Sequence, residues 1–330
     1  MSQFKVEVVP VKLEKHPDAD LLSIATVKGW QCVVKTSDFD GVELGAYIPL
    51  DSILPPMPEW EYMQSKKYRV RTIRLRGILS QGILIPAKEG WVEGQDVTEE
   101  LGIKKWIPPE ERQEKVIHGG VKVPEPAKFC YHTDIERIQN FPNAFKEGDE
   151  VIITEKIHGT NCRFGWTDGQ YMVGSHTCRK ECHGVSIYAR IGEELDMEHK
   201  FSFNLFTKEN NDLVLYGEIY GFKVQKKFNY GLETQKFILF DVQLNGVFLE
   251  WEEVEGYAKI FNLDLPPVLY KGPFSNKVVE ELVNGLTVLG QGAHLKEGIV
   301  IRSIHEEWDE RLGRKWIKKV SDEYLLKKGG

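Results

Sequence analysis

The chain has 330 residues, 41% of them apolar, and a formal net charge of −7. This length and composition predict an ordinary soluble protein of two domains, and the negative charge argues against a protein that coats nucleic acid non-specifically. No run approaches the roughly 18 apolar residues that a membrane helix needs, and the first residues lack the apolar core of a signal peptide. The five cysteines favour reduced thiols over a disulfide framework. We therefore expect a cytoplasmic or otherwise intracellular protein that makes no membrane contact.

The N-terminal part contains short runs typical of β-strands, punctuated by glycines. The runs cover residues 4–13, 22–27, 30–35, 46–49 and 68–75. Short strands at this spacing predict a small β-barrel over residues 1–105, and the OB-fold is a common barrel of this size that binds oligonucleotides. Residues 16–22, His-Pro-Asp-Ala-Asp-Leu-Leu, also resemble the strand–turn element of tRNA-binding OB-fold domains.

Positive charge is concentrated in two places. Residues 66–76 carry six cations in eleven positions, and a second cluster lies within residues 311–328. Coulomb attraction and counterion release would let such a segment hold RNA phosphates, and a solvated basic face is the alternative. In the first cluster, the residues that we predict to bind RNA are Arg69, Arg71, Arg74 and Arg76.

Residues 106–128 differ in composition from the part that precedes them. They contain four prolines, two adjacent glycines and a charged run at 110–115, a combination typical of an exposed connector. We place the domain boundary there, with a second domain at 129–330. Near its beginning, residues 133–138 predict a short helix in which Thr133 is the cap and Glu136 completes a capping box.

The second domain is organised around Lys156. Residues 151–153 and 161–166 predict two strands, and residues 168–169 supply a turn, so that Lys156 would lie at the mouth of a hairpin. A lysine amine attacks only when uncharged, which near neutral pH needs burial or neighbouring cations because the free pKa is ~10.4. Strand alternation points Glu155 away from Lys156, so that carboxylate need not pair with the amine. We predict that Lys156 is a nucleophile, and a surface lysine before a turn is the alternative.

The octet at residues 154–161, Thr-Glu-Lys-Ile-His-Gly-Thr-Asn, resembles the nucleotide-accepting motif of the covalent nucleotidyltransferases. This superfamily contains the ATP-dependent RNA and DNA ligases and the mRNA capping enzymes, and the octet is particularly similar to RNA ligases of the RNA ligase 2 type. His158 departs from the Lys-x-Asp-Gly form common in DNA ligases, which favours RNA as the substrate. The resemblance implies that the lysine attacks the α-phosphate of ATP and keeps AMP. The AMP then passes to an RNA 5′-phosphate, and a 3′-hydroxyl displaces it.

Later segments resemble the remaining motifs of the superfamily, in the correct order. They are residues 174–179, 213–221, 236–242, 296–302 and 315–321. Between them, helical periodicity predicts core-facing helices at 185–201, 251–261 and 276–288, the last with Ser275 as its cap. Alternation along the strand at 213–221 places Tyr216, Glu218 and Tyr220 on one face.

The segment at 174–179 is the least regular of these matches. The family usually has Ser-Arg there, but in this chain His176 follows Ser175, so the register of the arginine is open. Arg179 is our candidate to grip the RNA 5′-phosphate, because a guanidinium fork suits phosphate oxygens. The same region also offers a possible zinc site, with free thiols in a loop as the alternative. Its four candidate ligands are His176, Cys178, Cys182 and His183.

The resemblance implies a role for each matched residue. Lys156 is the catalytic nucleophile, and Glu297 with Glu218 would hold a Mg²⁺ or Mn²⁺ ion. The nucleotide contacts that it implies are Glu155, Asn161, Glu218, Phe240, Lys318, Lys319 and Arg137. The RNA contacts that it implies within this domain are His158, Thr160 and Arg179.

The last motif usually contains two lysines separated by one residue, and residues 315–321 contain no such pair. We take Lys318 as the better candidate for contact with the α-phosphate and Lys319 as the second. If these lysines line the site, their charge would also lower the pKa of Lys156.

The order of domains resembles RNA ligase family 5, whose members carry an OB-fold in front and seal nicks when the 3′-hydroxyl strand is RNA. Only eleven residues follow Lys319, which is too few for a further domain. The implied fold is α+β, an N-terminal OB-type β-barrel followed by a nucleotidyltransferase domain of antiparallel sheets flanked by helices. The implied partner is a nicked or broken RNA duplex, or an RNA–DNA hybrid, bound by a monomer. A capping-type guanylyltransferase and a non-catalytic RNA-binding OB-fold protein are the alternatives.

Overall fold

The structure, a computed structural model, describes residues 4–107, 126–203, 211–225 and 227–328. The chain divides into two compact units. The first contains Met1–Val121, Ile138–Pro142 and Leu325–Gly330, and the second contains Lys122–Arg137 and Asn143–Tyr324. Most of the predicted connector, residues 108–125, lies outside the described residues, so the limits of the two domains stay a prediction.

The first unit is built from short strands. They are β1 (Glu7–Pro10), β2 (Leu13–Lys15), β3 (Leu22–Val27), β4 (Trp30–Lys35), β5 (Leu44–Ile48), β6 (Ser52–Ile53), β7 (Ile73–Leu75), β8 (Ile78–Ser80), β9 (Ile83–Pro86) and β10 (Lys104–Lys105). They pair antiparallel as β1–β5–β9, β2–β3–β4, β7–β8 and β6–β10. Two 3₁₀ helices, Thr36–Phe39 and Pro58–Lys66, complete the unit.

Strands β1 and β5 are buried on both faces. Val8, Ala46 and Ile48 belong to one apolar cluster, whereas Val9 and Tyr47 belong to a second. Because successive side chains of a strand point to opposite faces, the two clusters lie on opposite sides of these strands.

The predicted strand at 68–75 is wrong in its first half. The 3₁₀ helix Pro58–Lys66 ends just before it, and Lys67 and Tyr68 follow with positive φ angles of 53° and 57°. An extended strand cannot begin in this left-handed region, so only β7 is formed.

The second unit contains thirteen strands and the helices that pack on them, among the described residues. The strands are β11 (Glu136–Arg137), β12 (Glu150–Glu155), β13 (Thr160–Thr167), β14 (Gln170–Ser175), β15 (Arg179–Lys180), β16 (Leu213–Gly221), β17 (Gln235–Leu244), β18 (Val247–Phe248), β19 (Val268–Pro273), β20 (Gly298–Ser303), β21 (Trp308–Asp309), β22 (Gly313–Arg314) and β23 (Trp316–Val320). The helices are α1 (Ile187–Glu194), α2 (Met197–Phe203), α3 (Trp251–Phe261) and α4 (Asn276–Val283), the 3₁₀ helix Leu289–Gly292, and α5 (Asp322–Lys328), which begins in this unit.

Two sheets form the frame of this unit. The five-stranded sheet has the order β11-β23-β20-β12-β19, and the six-stranded sheet has the order β15-β14-β13-β16-β17-β18. All pairs are antiparallel except β11 with β23. Helices α1, α2 and α3 cover one face of the six-stranded sheet, through a core that includes Phe164, Ile191, Phe201, Leu215 and Val254.

The predicted hairpin around Lys156 is wrong, because β12 and β13 belong to different sheets. Both edges of β12 are already paired, with β19 and β20, so β13 has no free edge to join. The chain crosses between the sheets at residues 156–159. It passes so close to β16 that a Cβ on Gly159 would lie 2.1 Å from the carbonyl oxygen of Ile219, so only glycine fits there.

The predicted helix at 133–138 is also wrong. Glu136 and Arg137 form the short strand β11, in parallel register with Ile317 and Lys318. Pairing with the edge of the five-stranded sheet supplies hydrogen bonds that a single isolated helical turn lacks, because starting a helix is unfavourable.

The other predicted helices are confirmed with changes in their limits. The segment at 185–201 is two helices, because Asp196 between them has a φ of 53°. Helix α3 covers the predicted residues, and α4 ends earlier than predicted, at Val283. Ser275 caps α4 by accepting a hydrogen bond from the Val278 N–H at 3.2 Å. Among the described residues, no helix is long and apolar enough to cross a membrane.

Candidate active site

The strand pair β16–β17 contains a bulge at Phe240. Tyr216 pairs with Asp241, and the next residue along β16 pairs with Leu239, which leaves Phe240 without a cross-strand partner. Phe240 packs beside Tyr216, and Asp241 binds His132, whose ring contacts Phe240. The bulge thus directs two consecutive residues to the face of the sheet away from the helices.

A buried ionic network lies next to Phe240. Asp241 is fully buried and accepts hydrogen bonds from Arg314 and, at 2.7 Å, from Nε2 of His132. Burial opposes the charge on Asp241, but Arg314 and His132 outweigh it and lower the pKa of the carboxyl. The His132 ring meets the Phe240 ring edge-on, with centroids 5.2 Å apart and planes at 85°. The network therefore fixes the position of the Phe240 ring.

A cleft with an empty volume of about 830 Å³ lies within the second unit and is lined by both sheets. From the five-stranded sheet and the crossing that follows β12 it receives Thr154, Lys156, Val300 and Lys318. From the six-stranded sheet it receives Asn161, Glu218, Ile238 and Phe240. The structure thus brings together residues that the sequence predicted separately for the nucleotide, with an apolar wall beside a charged one.

Lys156 reaches into this cleft. Its backbone N–H donates to the carbonyl of Gly298 at 3.0 Å, and its Nζ donates to Oε2 of Glu297 at 2.8 Å. Nδ1 of His158 lies 3.5 Å from the same carboxylate oxygen. The Lys156 side chain is 23% exposed and lines the cleft.

The prediction of a lowered pKa for Lys156 is wrong for this arrangement. Burial lowers the pKa of Lys156, but the carboxylates of Glu297 and Glu218 outweigh burial and raise it. Glu218 and Glu297, which the sequence predicts as metal ligands, lie close to the amine in the fold, and their charges oppose the effect of the neighbouring cations on its pKa. Burial opposes the charge on Glu297, but Lys156 and His158 lower the pKa of that carboxyl. Lys156 and Glu297 therefore form an ion pair at neutral pH.

The two candidate lysines of β23 point in opposite directions. Lys318 lines the cleft, where burial, and then the charges of Lys156 and Arg137, lower its pKa to about 8. Lys319 forms an ion pair with Glu280 of α4. Successive residues of a strand face opposite sides, so only Lys318 can contribute to the cleft. Arg137 pairs in register with Lys318 and lies close enough to influence both lysines of the cleft.

Glu218 and Glu297 fit the role of metal ligands. Burial raises the pKa of Glu218 to about 8, and the nearby charge of Glu297 adds to the effect, while Lys156 opposes it. Two partly buried carboxylates that share one space are typical of a site for Mg²⁺ or Mn²⁺, which bind oxygen ligands and retain water. Among the described residues no group of three or more His, Cys, Asp or Glu side chains is arranged to hold a metal.

Comparison with known proteins places this cleft in a family. Residues 149–320 match the RNA ligase family. The chain belongs to the RNA ligase family. Residues 6–87 match an OB-fold domain family, and no curated protein sequence matches the chain. The predicted RNA ligase is thus confirmed at the level of the family.

Solved structures of Naegleria gruberi RNA ligase are similar to the whole chain. A variant solved with ATP and Mn is 24% identical over 98% of this chain and 99% of that chain, with a TM-score of 0.80. The protein solved with PPi is 24% identical over 98% of each chain, with a TM-score of 0.78. A variant solved with AMP and Mn is 24% identical over 99% of this chain and 100% of that chain, with a TM-score of 0.80. At these identities the likeness establishes the fold, and the α+β prediction with an N-terminal OB-fold is confirmed.

Three residues of this domain that were predicted to bind RNA are not among the residues that line the cleft. The backbone N–H of His158 donates to the Tyr230 hydroxyl at 2.6 Å, and the His158 ring packs edge-on against Phe228. Thr160 places its hydroxyl 3.0 Å from that of Tyr188 in α1, on the helix-covered face. Arg179 does not line the cleft and pairs in register with Gly174. RNA binding by these three residues stays a prediction, and Thr160 is the one whose side chain points away from the cleft.

The sequence assigns no role in this cleft to several residues that line it. His176 lies in the lining with its Nε2 3.1 Å from Oδ1 of Asp134, and His132, Arg302 and Trp316 line the cleft as well. The four come from separate segments. Arg302 and Trp316 lie within the matched segments 296–302 and 315–321, and His176 follows Ser175, whereas His132 carries no local signal. His183 instead interacts with two glutamates of α1 and α2, so the described residues show no zinc cluster here.

The basic segment of the first unit is only partly available to a ligand. Arg69 donates to Oδ1 of Asp51 at 2.5 Å, and its guanidinium lies 3.2 Å from the centre of the Trp106 ring. Arg74 and Arg76 are exposed in or beside the β7–β8 hairpin. Arg69 is therefore engaged within the fold, whereas Arg74 and Arg76 can reach a phosphate.

Proposed function

We propose that the protein is an ATP-dependent RNA ligase that works through a lysyl–AMP intermediate at Lys156. The observation that carries this proposal is the Lys156 amine held by Glu297 inside a cleft that also contains Lys318 and Phe240. An amine, a phosphate-binding cation and an aromatic face in one cleft suit a nucleoside triphosphate. The relatives solved with ATP, AMP and PPi support this assignment.

Each residue of the cleft has a different role in nucleotidyl transfer. Lys156 gives one proton to solvent and attacks the α-phosphorus. The new N–P bond forms as the bond to pyrophosphate breaks, and pyrophosphate leaves with the electron pair. Lys318, as a cation, faces the phosphate charge, and Phe240 packs against the base. Glu218 and Glu297 would hold a divalent ion, which when bound supplies positive charge that favours release of the Lys156 proton and neutralises the phosphates. Catalysis then depends mainly on position and electrostatics.

The polynucleotide steps follow from the same intermediate. AMP passes from Lys156 to an RNA 5′-phosphate, and a 3′-hydroxyl displaces AMP to form the phosphodiester. We propose that the substrate is a nicked or broken duplex whose 3′-hydroxyl strand is RNA, or an RNA–DNA hybrid, and that the ligase acts as a monomer. The OB-fold unit, with its exposed Arg74 and Arg76, supports binding of a polynucleotide.

The test is incubation with α-³²P-ATP or α-³²P-GTP in Mg²⁺ or Mn²⁺, followed by denaturation of the chain. We expect ATP-specific label on the chain, and mass spectrometry should locate AMP on the peptide that contains Lys156. Label from GTP alone would move the protein to the capping enzymes. Absence of label from both nucleotides would favour a non-catalytic RNA-binding protein.

Lys318 and Lys319 should differ strongly in effect. Lys318→Ala is expected to slow lysyl–AMP formation by about 10²-fold, because a preorganised cation at the phosphate is lost. Lys319→Ala, on the other face of β23, is expected to change the rate by less than about threefold, since an exposed ion pair contributes little. Single-turnover labelling with ATP measures both, and equal losses in the two variants would contradict the assignment.

Glu218→Gln should stabilise the metal-free protein at alkaline pH. The pKa of Glu218 is about 8 when folded and has its ordinary value, near 4.5, when unfolded. The cost of ionising Glu218 in the fold is therefore absent below pH ~4.5, grows between the two values and is complete above pH ~8. We expect the Gln variant to melt about 2–5 °C above the wild type at pH 8.5, with no difference at pH 4.5.

Thermal melts in a chelator at the two pH values measure this effect. Asp212→Asn, which removes a carboxylate outside the cleft, is the control. A Gln variant that is less stable than the wild type at pH 8.5 would contradict a raised pKa for Glu218.

Substitutions in the basic segment should affect either the stability of the protein or its RNA affinity, depending on the arginine. Arg69→Ala is expected to lower the melting temperature by about 2–4 °C, because the contacts with Asp51 and Trp106 are lost. The double variant Arg74→Ala with Arg76→Ala should keep its melting temperature and lose about 3–10-fold in RNA affinity, with a weaker salt dependence. Fluorescence anisotropy with labelled RNA at two salt concentrations measures affinity. Unchanged affinity in the double variant would exclude this segment from RNA binding.

A further inference from the structure

Glu155, the residue before the nucleophile, contributes to the lining of the cleft, but both oxygens of its carboxylate bind a distant segment of the chain. It is 1% exposed, and its Oε1 accepts a hydrogen bond from the Thr287 hydroxyl at 2.5 Å. Its Oε2 accepts a second hydrogen bond from the backbone N–H of Val288 at 2.8 Å. Both carboxylate oxygens are thus occupied by donors from one distant segment of the chain.

That segment is a small hairpin, residues 284–297, between α4 and β20. Leu286 and Leu295 form an antiparallel bridge, and the Thr287 N–H donates to the carbonyl of His294 at 2.9 Å. The hairpin ends at Glu297, the carboxylate that binds Lys156. The first strand of the hairpin therefore contacts Glu155, and its last residue contacts the amine of Lys156.

Ile157, on the other side of the nucleophile, also contacts the hairpin region. It is buried in a cluster with Tyr230, against which Leu289 packs. In an extended chain the side chains before and after a residue point opposite to it. The side chains of Glu155 and Ile157 thus contact the region of the 284–297 hairpin, and the Lys156 amine contacts Glu297 at the end of that hairpin.

We propose that Glu155 is a positioning residue, which sets the 284–297 hairpin and thereby Glu297 relative to Lys156. The contacts close a ring: Lys156 is bonded to Glu155, Glu155 binds Thr287 and Val288, and the hairpin leads to Glu297, which returns to Lys156. The nucleotide contact that the sequence predicts for Glu155 stays a prediction beside this role. The inference rests on the proposed function for its activity readout.

The ring makes the distance between the nucleophile and its carboxylate depend on a hydrogen bond outside the cleft. Glu155→Gln keeps the volume of the side chain, but its NH₂ group cannot accept a hydrogen bond, so one of the two donors loses its partner. The hairpin must then shift, and Glu297 with it. A misplacement of about 1 Å near reacting groups can cost up to ~10²-fold in rate.

The experiment compares Glu155→Gln, Thr287→Val and Thr287→Ser in the full chain. Single-turnover labelling with ATP gives the rate constant and the apparent affinity for ATP. Electron paramagnetic resonance of free Mn²⁺ gives the metal affinity without nucleotide, and thermal melts report stability. Glu150→Gln, at the exposed start of β12, is the matched control.

We expect Glu155→Gln and Thr287→Val to lower the rate constant at least about tenfold and to weaken Mn²⁺ binding severalfold. The apparent affinity for ATP should change by less than about twofold, because Phe240 and Val300 are untouched. Thr287→Ser, which keeps the hydroxyl, should have the rate constant and the Mn²⁺ affinity of the wild type. The double variant Glu155→Gln with Thr287→Val should be no worse than Glu155→Gln alone, because both act on one contact.

Two results would overturn the proposal. The first is that the Glu155→Gln and Thr287→Val variants melt at a lower temperature but keep the rate constant and the Mn²⁺ affinity of the wild type. That result would mean that Glu155 only stabilises the fold. The second is that the variants lose ATP affinity while their Mn²⁺ affinity is unchanged. That result would mean that Glu155 contacts the nucleotide. If the wild type forms no adduct with ATP, the proposed function fails, and the Mn²⁺ titration still decides the role of Glu155.

Discussion

Lys156→Ala is expected to abolish the lysyl–AMP adduct, with a fall in the ligation of 5′-phosphorylated RNA of at least ~10³-fold. The reason is geometric as well as chemical. The Lys156 amine is held at 2.8 Å from Glu297 in the cleft, and without it the α-phosphate has no nucleophile in that position. Retention of ³²P on the denatured chain and gel-based ligation measure the two effects.

The same variant should still seal RNA that already carries a 5′-adenylyl group. In that substrate the phosphate is activated beforehand, so the lysine is not needed and the 3′-hydroxyl attacks directly. We expect sealing of adenylylated RNA within about tenfold of the wild-type rate, because the binding residues remain. Lys319→Ala, on the opposite face of β23, is the control for the loss of a positive charge. Persistent label on the Lys156→Ala chain would place the nucleophile elsewhere.

Glu297→Gln is expected to slow lysyl–AMP formation by about 10²–10³-fold. The amide keeps the shape of the side chain but removes the charge that faces Lys156 and Glu218. The Mn²⁺ concentration for half of the maximal rate should rise, since one of the two carboxylates is lost. Single-turnover rates over a Mn²⁺ titration measure both quantities.

The pH profile of this variant should move in a defined direction. Glu297 raises the pKa of Lys156, so its removal lowers that pKa and increases the fraction of uncharged amine at a given pH. The residual activity of Glu297→Gln is therefore expected to reach half of its maximum at a lower pH than the wild type. Glu280→Gln, which removes an exposed carboxylate that pairs with Lys319, is the control. An unchanged Mn²⁺ dependence in Glu297→Gln would exclude Glu297 as a metal ligand.

The local sequence determined most strands and most helices, and it indicated Lys156 as the candidate nucleophile. Alternation along 213–221 correctly placed Tyr216, Glu218 and Tyr220 on one face, since Tyr216, Tyr220 and the cleft all lie opposite the helix-packed core. The helix at 251–261 and the Ser275 cap were also predicted, because periodicity and capping depend on neighbouring residues. The octet around Lys156 and the order of the later segments indicate an RNA ligase from local sequence alone.

Tertiary structure alone decided which of these residues meet. The free edges of distant sheets decide whether β12 pairs with β13 and whether residues 133–138 become a strand. Local propensity cannot predict which edges are free. The pKa of Lys156 depends on Glu218 and Glu297, which are 62 and 141 positions away in the chain. The outward direction of Lys319 and the contact of Glu155 with Thr287 likewise depend on strand register and on the path of a hairpin. The sequence by itself thus determined the chemical groups and the family, and long-range packing decided their distances, directions and charge states.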